Sequence, residues 1–116
     1  MCTAVSYKTK DHYFGRNMDL EFSYHETVTI TPRNYPFHFK NIEDMLPKSD
    51  KMMHYAIIGM AYVVKSYPLY YDATNEKGLS VAALNFPNNA TYHAVMEGRI
   101  NIASYELIPW LLCQCE

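Results

Sequence analysis

Short runs of alternating apolar and polar residues, separated by turn-forming residues, extend through most of this 116-residue sequence. A period of two residues is typical of β-strands, because successive side chains point to opposite faces of a sheet. The sequence predicts a first hairpin from Thr3–Lys8 and His12–Asp19, with its turn within Thr9–Asp11. The run ETVTITPRN predicts a further, half-buried strand that ends at a proline.

The later segments complete a mainly antiparallel pattern. A long surface loop is predicted for Asn34–Lys51, followed by a strand in HYAIIGMAYVV with a bend at Gly59. Two more strands follow, LYYDAT and LSVAALNF, joined by a turn from Asn75 to Gly78. The final segment NIASYELIPWLLCQCE has helical spacing, and we expect this helix to kink or begin near Pro109. Strands followed by a helix predict an α+β fold in a single domain over residues 1–116.

Composition excludes several classes of protein. Hydrophobic residues make up 49% and charged residues 19%, as in an ordinary globular domain. The net charge is -2 and no basic run is present, so we expect no nucleic-acid partner. No signal peptide or apolar span is recognisable, so we expect a cytoplasmic protein with no membrane partner. In a reducing compartment, three cysteines, an odd number, argue against a disulfide framework and leave reactivity or packing as their roles.

The last two cysteines leave two interpretations. Cys113 and Cys115 have the spacing of half a metal site, but the five histidines are scattered and no second cysteine pair follows. This pattern favours packing over metal binding, and we predict no metal. The apolar helical pattern continues to Glu116 without a capping residue, so we expect the chain to be a fragment of a longer domain.

Cys2 follows the initiator methionine and is either a buried small hydrophobe or a nucleophile. In the predicted hairpin it lies across from the segment Arg16 to Asp19. A guanidinium nearby stabilises a thiolate, and once Met1 is removed the free α-amino group of Cys2 can act as a base for its own thiol. Asp19 is a candidate acceptor for that amine.

The catalytic roles of these residues are not the only interpretation of the sequence. Arg16 and Asp19 are an odd number of residues apart and belong on opposite faces of a regular strand, so the hypothesis requires a bend or bulge, for which Gly15 is the candidate. The same two residues are also explained by a surface ion pair, which contributes little stability. Asn85, near the predicted end of an apolar strand, is either an oxyanion donor or a turn former before Pro87.

Four ordered blocks, MCTAV, GRNMD, NEKGLSVAALNFP and ELIPWLL, resemble the N-terminal part of the choloylglycine hydrolase family, which contains bile salt hydrolases and penicillin V acylases. The resemblance implies an N-terminal-nucleophile (Ntn) hydrolase with a four-layer αββα sandwich. It also implies amide cleavage through an acyl-cysteine intermediate, with no organic cofactor and a homotetrameric parent protein. By position, it implies catalytic roles for Cys2, Arg16, Asp19 and Asn85.

The resemblance also suggests a substrate. Family members similar to penicillin V acylases often carry tyrosine where Asn85 stands, so we favour a conjugated bile acid, a small molecule with glycine or taurine in amide linkage. The alternatives are a penicillin V or acyl-homoserine lactone acylase and a non-catalytic truncated fragment. Six residues are predicted to line the substrate pocket: Met18, Phe22, Tyr24, Ala61, Tyr62 and Tyr67.

Overall fold

The structure is a computed structural model that describes residues 2–42, 54–86 and 88–114. The elements are β1 (Thr3–Lys8), β2 (His12–Asn17), β3 (Thr27–Thr31), β4 (Ile57–Val64), β5 (Tyr67–Asn75), β6 (Ser80–Ala82) and α1 (Leu107–Cys113). Neighbouring strands pair antiparallel in two sheets, one of two strands and one of four in the order β3-β4-β5-β6. A 3₁₀ turn, Ser104–Glu106, leads into the helix α1. The α+β prediction is confirmed.

The first hairpin forms as predicted, with Lys8 opposite His12 and the turn between them. The irregularity that we expected at Gly15 is wrong, because Gly15 pairs with Val5 in an unbroken register. Instead β2 ends at Asn17, so the residues that follow are not bound by strand alternation. The end of the strand therefore removes the geometric objection that required a bulge.

Three backbone features shape the four-stranded sheet. A Cβ on Gly59 would lie 2.6 Å from the Cβ of Ala73 on β5, so only glycine allows this approach of the two strands. The register shifts between Met60 and Ala61, one position later than the bend predicted at Gly59. Strands β4 and β5 are joined by a two-residue loop, Lys65–Ser66, in which both φ angles are positive, as in a type I′ turn.

The core lies between one face of this sheet and α1. Ile57, Ala61 and Tyr70 from the sheet pack with Ile108 and Leu112 from the helix. The helix begins two residues before Pro109, as predicted, because proline is tolerated in a first helical turn. Within the described residues, no helix has the length and apolarity needed to cross a bilayer.

The opposite face of the sheet is open. Val28 and Ile30 of β3 are 68% and 67% exposed, and Ile58 of β4 is 48% exposed. The buried side of β3 is the threonine side, where Thr31 is 2% exposed and its hydroxyl lies 3.2 Å from the Tyr70 hydroxyl. The strand is therefore half-buried, as expected, with its aliphatic side chains on the exposed face.

Two predicted segments differ from the structure. The predicted surface loop contains Phe39 and Ile42, which are 3% and 1% exposed, so its described part contributes to the interior. Residues 43–51 of that prediction lie outside the described residues. Strand β6 ends at Ala82 and does not continue to Phe86. Asn85 therefore lies in the chain that follows the sheet.

Candidate active site

Cys2 lies immediately before β1 and is half-buried. The hairpin register places Thr3 opposite Asn17 and Ala4 opposite Arg16. Cys2 precedes β1, so the register places it at the end of the hairpin where Arg16 lies, next to the Thr3–Asn17 pair.

Arg16 is held between the hairpin and the larger sheet. Its side chain is 8% exposed, and its Nε lies 3.4 Å from Oδ2 of Asp72 on β5. Its Nη2 donates a hydrogen bond of 2.5 Å to the carbonyl of Ala83, just beyond β6. The Arg16 side chain is therefore buried and forms an ion pair with Asp72 of the other sheet.

Asp19 is connected to the start of the chain through Asn17. Asn17 Nδ2 donates to Asp19 Oδ1 at 3.0 Å, and Asn17 Oδ1 accepts a hydrogen bond of 2.6 Å from the backbone N–H of Thr3. This chain of contacts reaches the residue that follows Cys2. The sequence interpretation missed Asn17, although it lies within the GRNMD block between the two residues that were selected.

Asn85 is exposed, three residues after the end of β6. The segment before it is fixed, because the Ala83 N–H donates to the Tyr71 carbonyl at 2.9 Å and the Ala83 carbonyl accepts from Arg16. No hydrogen bond among the described residues joins Asn85 to Cys2. The structure therefore brings Arg16 to the segment that carries Asn85, and the oxyanion role of Asn85 stays a prediction.

A cavity of about 500 Å³ opens between the first hairpin and the exposed face of the four-stranded sheet. It contains both charged members of the Arg16–Asp72 pair and several apolar side chains, so it offers a mixed surface to a ligand. Cys2 and Asn85 are not among its lining residues. The lining residues are Phe14, Gly15, Arg16, Met18, Glu26, Ile58, Met60, Asp72, Ala73 and Thr74.

The residues predicted to line a substrate pocket are dispersed. Met18 lines the cavity. Phe22 and Tyr24 are exposed and contact each other, with ring centroids 4.8 Å apart. Tyr62 is 39% exposed, whereas Ala61 is 0% exposed in the core against α1. Ala61 therefore presents no accessible surface in the described structure.

Tyr67 lies near the helix. Its ring contacts Phe37 and Tyr105, with centroids 6.0 and 6.5 Å away. Burial, reinforced by the negative charge of Glu106, raises the pKa of the Tyr67 hydroxyl well above its ordinary value. Among the described residues this hydroxyl has no hydrogen-bond partner. Tyr67 is not among the residues that line the Arg16 cavity.

The cysteine spacing near the end of the chain leads to no described metal cluster. Cys113 is half-buried and packs against the core, whereas Cys115 lies outside the described residues. Over residues 2–42, 54–86 and 88–114, no group of three or more His, Cys, Asp or Glu side chains converges as metal ligands would.

Three features of the chain are expected of an amide hydrolase. They are a cysteine before the first strand, a buried arginine side chain at the same end of the hairpin, and two antiparallel sheets with a helix against one of them. Comparison with known proteins agrees with this class. Residues 2–116 match the family model described as linear amide C-N hydrolases, choloylglycine hydrolase family. The chain belongs to this family.

Curated relatives carry related names. The chain is 54% identical over 114 residues to a bile salt hydrolase/transferase of Lactiplantibacillus plantarum, covering 98% of the chain and 33% of the relative. It is 44% identical over 115 residues to a conjugated bile acid hydrolase of Lactobacillus gasseri, covering 96% of the chain and 34% of the relative. The chain thus spans about a third of the length of these relatives.

A solved structure shows the same fold. The C2A mutant of the conjugated bile acid hydrolase from Clostridium perfringens superimposes with a TM-score of 0.80 at 39% sequence identity. The alignment covers 99% of this chain and 34% of that chain. The two sheets and the short helix described above therefore correspond to one part of a larger hydrolase fold.

Proposed function

We propose that residues 1–116 form the N-terminal portion of a single Ntn-hydrolase domain, and that the protein containing them is a bile salt hydrolase. The observation that carries this proposal is that Cys2 and the buried Arg16 side chain lie at the same end of the first hairpin. The names of the relatives support a conjugated bile acid as substrate. The cleaved bond is the amide between the bile acid and glycine or taurine.

The reaction proceeds in two acyl-transfer steps. After removal of Met1, the α-amino group of Cys2 takes the thiol proton, and the thiolate sulfur attacks the amide carbon. Asn85 and a backbone N–H stabilise the oxyanion of the tetrahedral intermediate. The C–N bond then breaks as the protonated Cys2 amine gives its proton to the departing glycine or taurine nitrogen. Water, deprotonated by the same amine, hydrolyses the thioester and releases the bile acid.

Arg16 and Asp19 support the nucleophile from two directions. A fixed guanidinium at the Cys2 end of the hairpin favours the thiolate over the neutral thiol. Asp19 lies beyond the end of β2 and contacts Asn17, which in turn holds the N–H of Thr3. This arrangement suits a carboxylate that orients the neighbouring amine.

The sequence also supports a proposal for the cellular location and the oligomeric state of the protein. We place the protein in the cytoplasm, as the sequence analysis predicts. The family resemblance favours a homotetramer. Light scattering on the purified full-length protein measures the mass of the assembly and decides between this state and a monomer.

The test compares substrates on the full-length protein. Glycocholate and taurocholate are expected to be hydrolysed faster than penicillin V or an acyl-homoserine lactone. Cys2→Ser should lower kcat by at least ~10²-fold, because serine forms an alkoxide far less readily than cysteine forms a thiolate. Cys113→Ser is the matched control and should retain turnover. Preference for penicillin V, or unchanged kcat in Cys2→Ser, would contradict the proposal.

A further experiment tests the alternative that the chain is a non-catalytic truncated fragment. The chain from Met1 to Glu116 alone leaves one face of its four-stranded sheet open, with Val28, Ile30 and Ile58 exposed. Uncovered apolar strand faces favour association over a stable monomer. We expect this piece to aggregate and to show no bile salt hydrolysis. A monomeric, active product would show that these residues suffice.

A further inference from the structure

Asp72 is the acidic side chain that meets Arg16 across the gap between the two sheets. It lies on β5, pairs with Met60 of β4 and Ala82 of β6, and its side chain is 23% exposed. Its Oδ2 lies 3.4 Å from Arg16 Nε, and its Oδ1 accepts a hydrogen bond of 3.4 Å from the Met60 backbone N–H. The carboxylate is therefore fixed on the sheet.

The guanidinium of Arg16 has unused donors. Neither Nε nor Nη1 makes a hydrogen bond among the described residues, although both atoms are buried. Nε is close to Asp72 without the alignment of a hydrogen bond, so this contact is an ion pair. A buried cation is costly unless an opposite charge compensates it, and buried polar atoms without partners are typical of functional sites.

Two contacts from the larger sheet set the direction of this guanidinium. The Asp72 carboxylate attracts Nε of Arg16, and the carbonyl of Ala83 accepts a hydrogen bond from Nη2 of Arg16. Arg16 itself belongs to the hairpin that carries Cys2. A guanidinium acts on a thiolate according to its distance and direction, so whatever fixes Arg16 also controls its effect on Cys2.

We propose that Asp72 is a positioning residue for the hydrolase reaction, which holds Arg16 against the larger sheet so that its guanidinium stays directed toward the Cys2 end of the hairpin. This inference rests on the proposed function. Asp72 acts through Arg16 and takes no part in bond making.

A purely electrostatic role for Asp72 makes the opposite prediction. The negative carboxylate partly cancels the positive field of Arg16. If Asp72 only cancelled charge, its removal would increase the fraction of Cys2 thiolate and accelerate alkylation. If Asp72 positions Arg16, its removal releases the guanidinium and slows alkylation. The sign of the change separates the two roles.

The experiment uses Asp72→Ala and Asp72→Asn in the full-length protein. Asparagine retains an oxygen near Arg16 Nε, whereas alanine retains nothing. Asp72→Ala should lower kcat for glycocholate about 10-fold or more, with KM changed less than about 3-fold, because small misplacements of catalytic groups reduce rates strongly. Asp72→Asn should recover most of that loss. Glu76→Ala, which removes the carboxylate of the Arg33–Glu76 pair in the turn after β5, should leave kcat unchanged.

A second readout does not depend on the substrate. The rate at which iodoacetamide alkylates Cys2 at pH 6 is followed by mass spectrometry of the N-terminal peptide. It should fall in Asp72→Ala and should not rise in Asp72→Asn. Faster alkylation in either variant, or wild-type kcat in Asp72→Ala, would overturn the inference. If Asp72→Ala does not fold, the alkylation rate of Asp72→Asn decides the question. Absence of bile salt turnover in the wild type would contradict the proposed function, while the alkylation rates would still test Asp72.

Discussion

Asn75 Nδ2 donates a hydrogen bond of 3.0 Å to the backbone carbonyl of Leu112, near the end of α1. On the other side of the same amide, Oδ1 accepts from the backbone N–H groups of Lys77 at 3.0 Å and Leu79 at 3.1 Å. Asn75 is 3% exposed. One side chain therefore closes the turn between β5 and β6 and also attaches the helix to the sheet.

Asn75→Asp should separate these two functions. Aspartate keeps the oxygen that organises the turn, but it cannot donate to Leu112, and its charge lies near the negative end of the helix. We expect a loss of about 2 kcal/mol or more in the free energy of unfolding of the full-length protein, because a buried acceptor loses its donor. Urea denaturation measures this loss. Equal stability of Asn75→Asp and the wild type would show that the contact with Leu112 contributes nothing.

The strands were predictable where local patterns decide them. The first hairpin and the Asn75–Gly78 turn depend on alternation and on turn residues that are adjacent in sequence. The two-residue loop Lys65–Ser66 was missed because it contains neither glycine nor asparagine, although both φ angles are positive. The burial of Phe39 was missed because it depends on contacts with distant parts of the chain; the neighbouring Lys40 N–H donates to Glu106, 66 residues away.

The site was predictable to the extent that its residues lie within motifs. Cys2, Arg16 and Asp19 come from two short blocks, and pairing in the first hairpin brings those blocks together. The partners of Arg16 come from the other sheet, and its hydrogen bond to Ala83 spans 67 residues. No local periodicity indicates that Asp72, the one acidic residue of β5, faces the hairpin, so the Asp72 contact required the structure.

Glu76 predicts a defined dependence of stability on pH. Arg33 donates to both of its carboxylate oxygens, and the Ala56 N–H donates to Oε1 at 2.9 Å. The hydrogen bond from Arg33, followed by that from Ala56, lowers the pKa of Glu76 from about 4.5 to about 2. Because the folded-state pKa is the lower one, the stabilisation is complete above pH ~4.5 and is lost as the pH falls toward 2.

The measurement compares Tm of the wild type and Glu76→Gln between pH 6 and pH 2. We expect the wild type to be the more stable at pH 6 and the difference to diminish below pH ~4.5. Glu97→Gln, at an exposed position outside the strands, is the matched control. A difference between wild type and Glu76→Gln that stays constant down to pH 2 would contradict the lowered pKa.

Asn85→Ala tests the oxyanion role directly. Removing one donor to a developing oxyanion typically lowers kcat by ~10²–10³-fold, and the effect on KM is expected to be small because the charge forms only in the transition state. Asn89→Ala, at an exposed position in the same segment, should retain turnover. Steady-state kinetics with glycocholate measures both variants. If Asn85→Ala and Asn89→Ala lower kcat equally, Asn85 is a residue of the turn and not an oxyanion donor.

Retention of Met1 separates the amine of Cys2 from its thiol. The mechanism needs a free α-amino group on Cys2, whose ordinary pKa of ~7.7–8.0 suits a base near neutral pH. The precursor is produced in a host that lacks methionine aminopeptidase activity, and intact mass confirms the extra residue. We expect this precursor to fold with the same near-ultraviolet circular dichroism as the processed protein but to show no turnover, because an amide nitrogen in place of the amine cannot accept the thiol proton. Treatment with purified aminopeptidase should restore hydrolysis in proportion to the Met1 removed. Equal activity before and after this treatment would exclude the amine as the base.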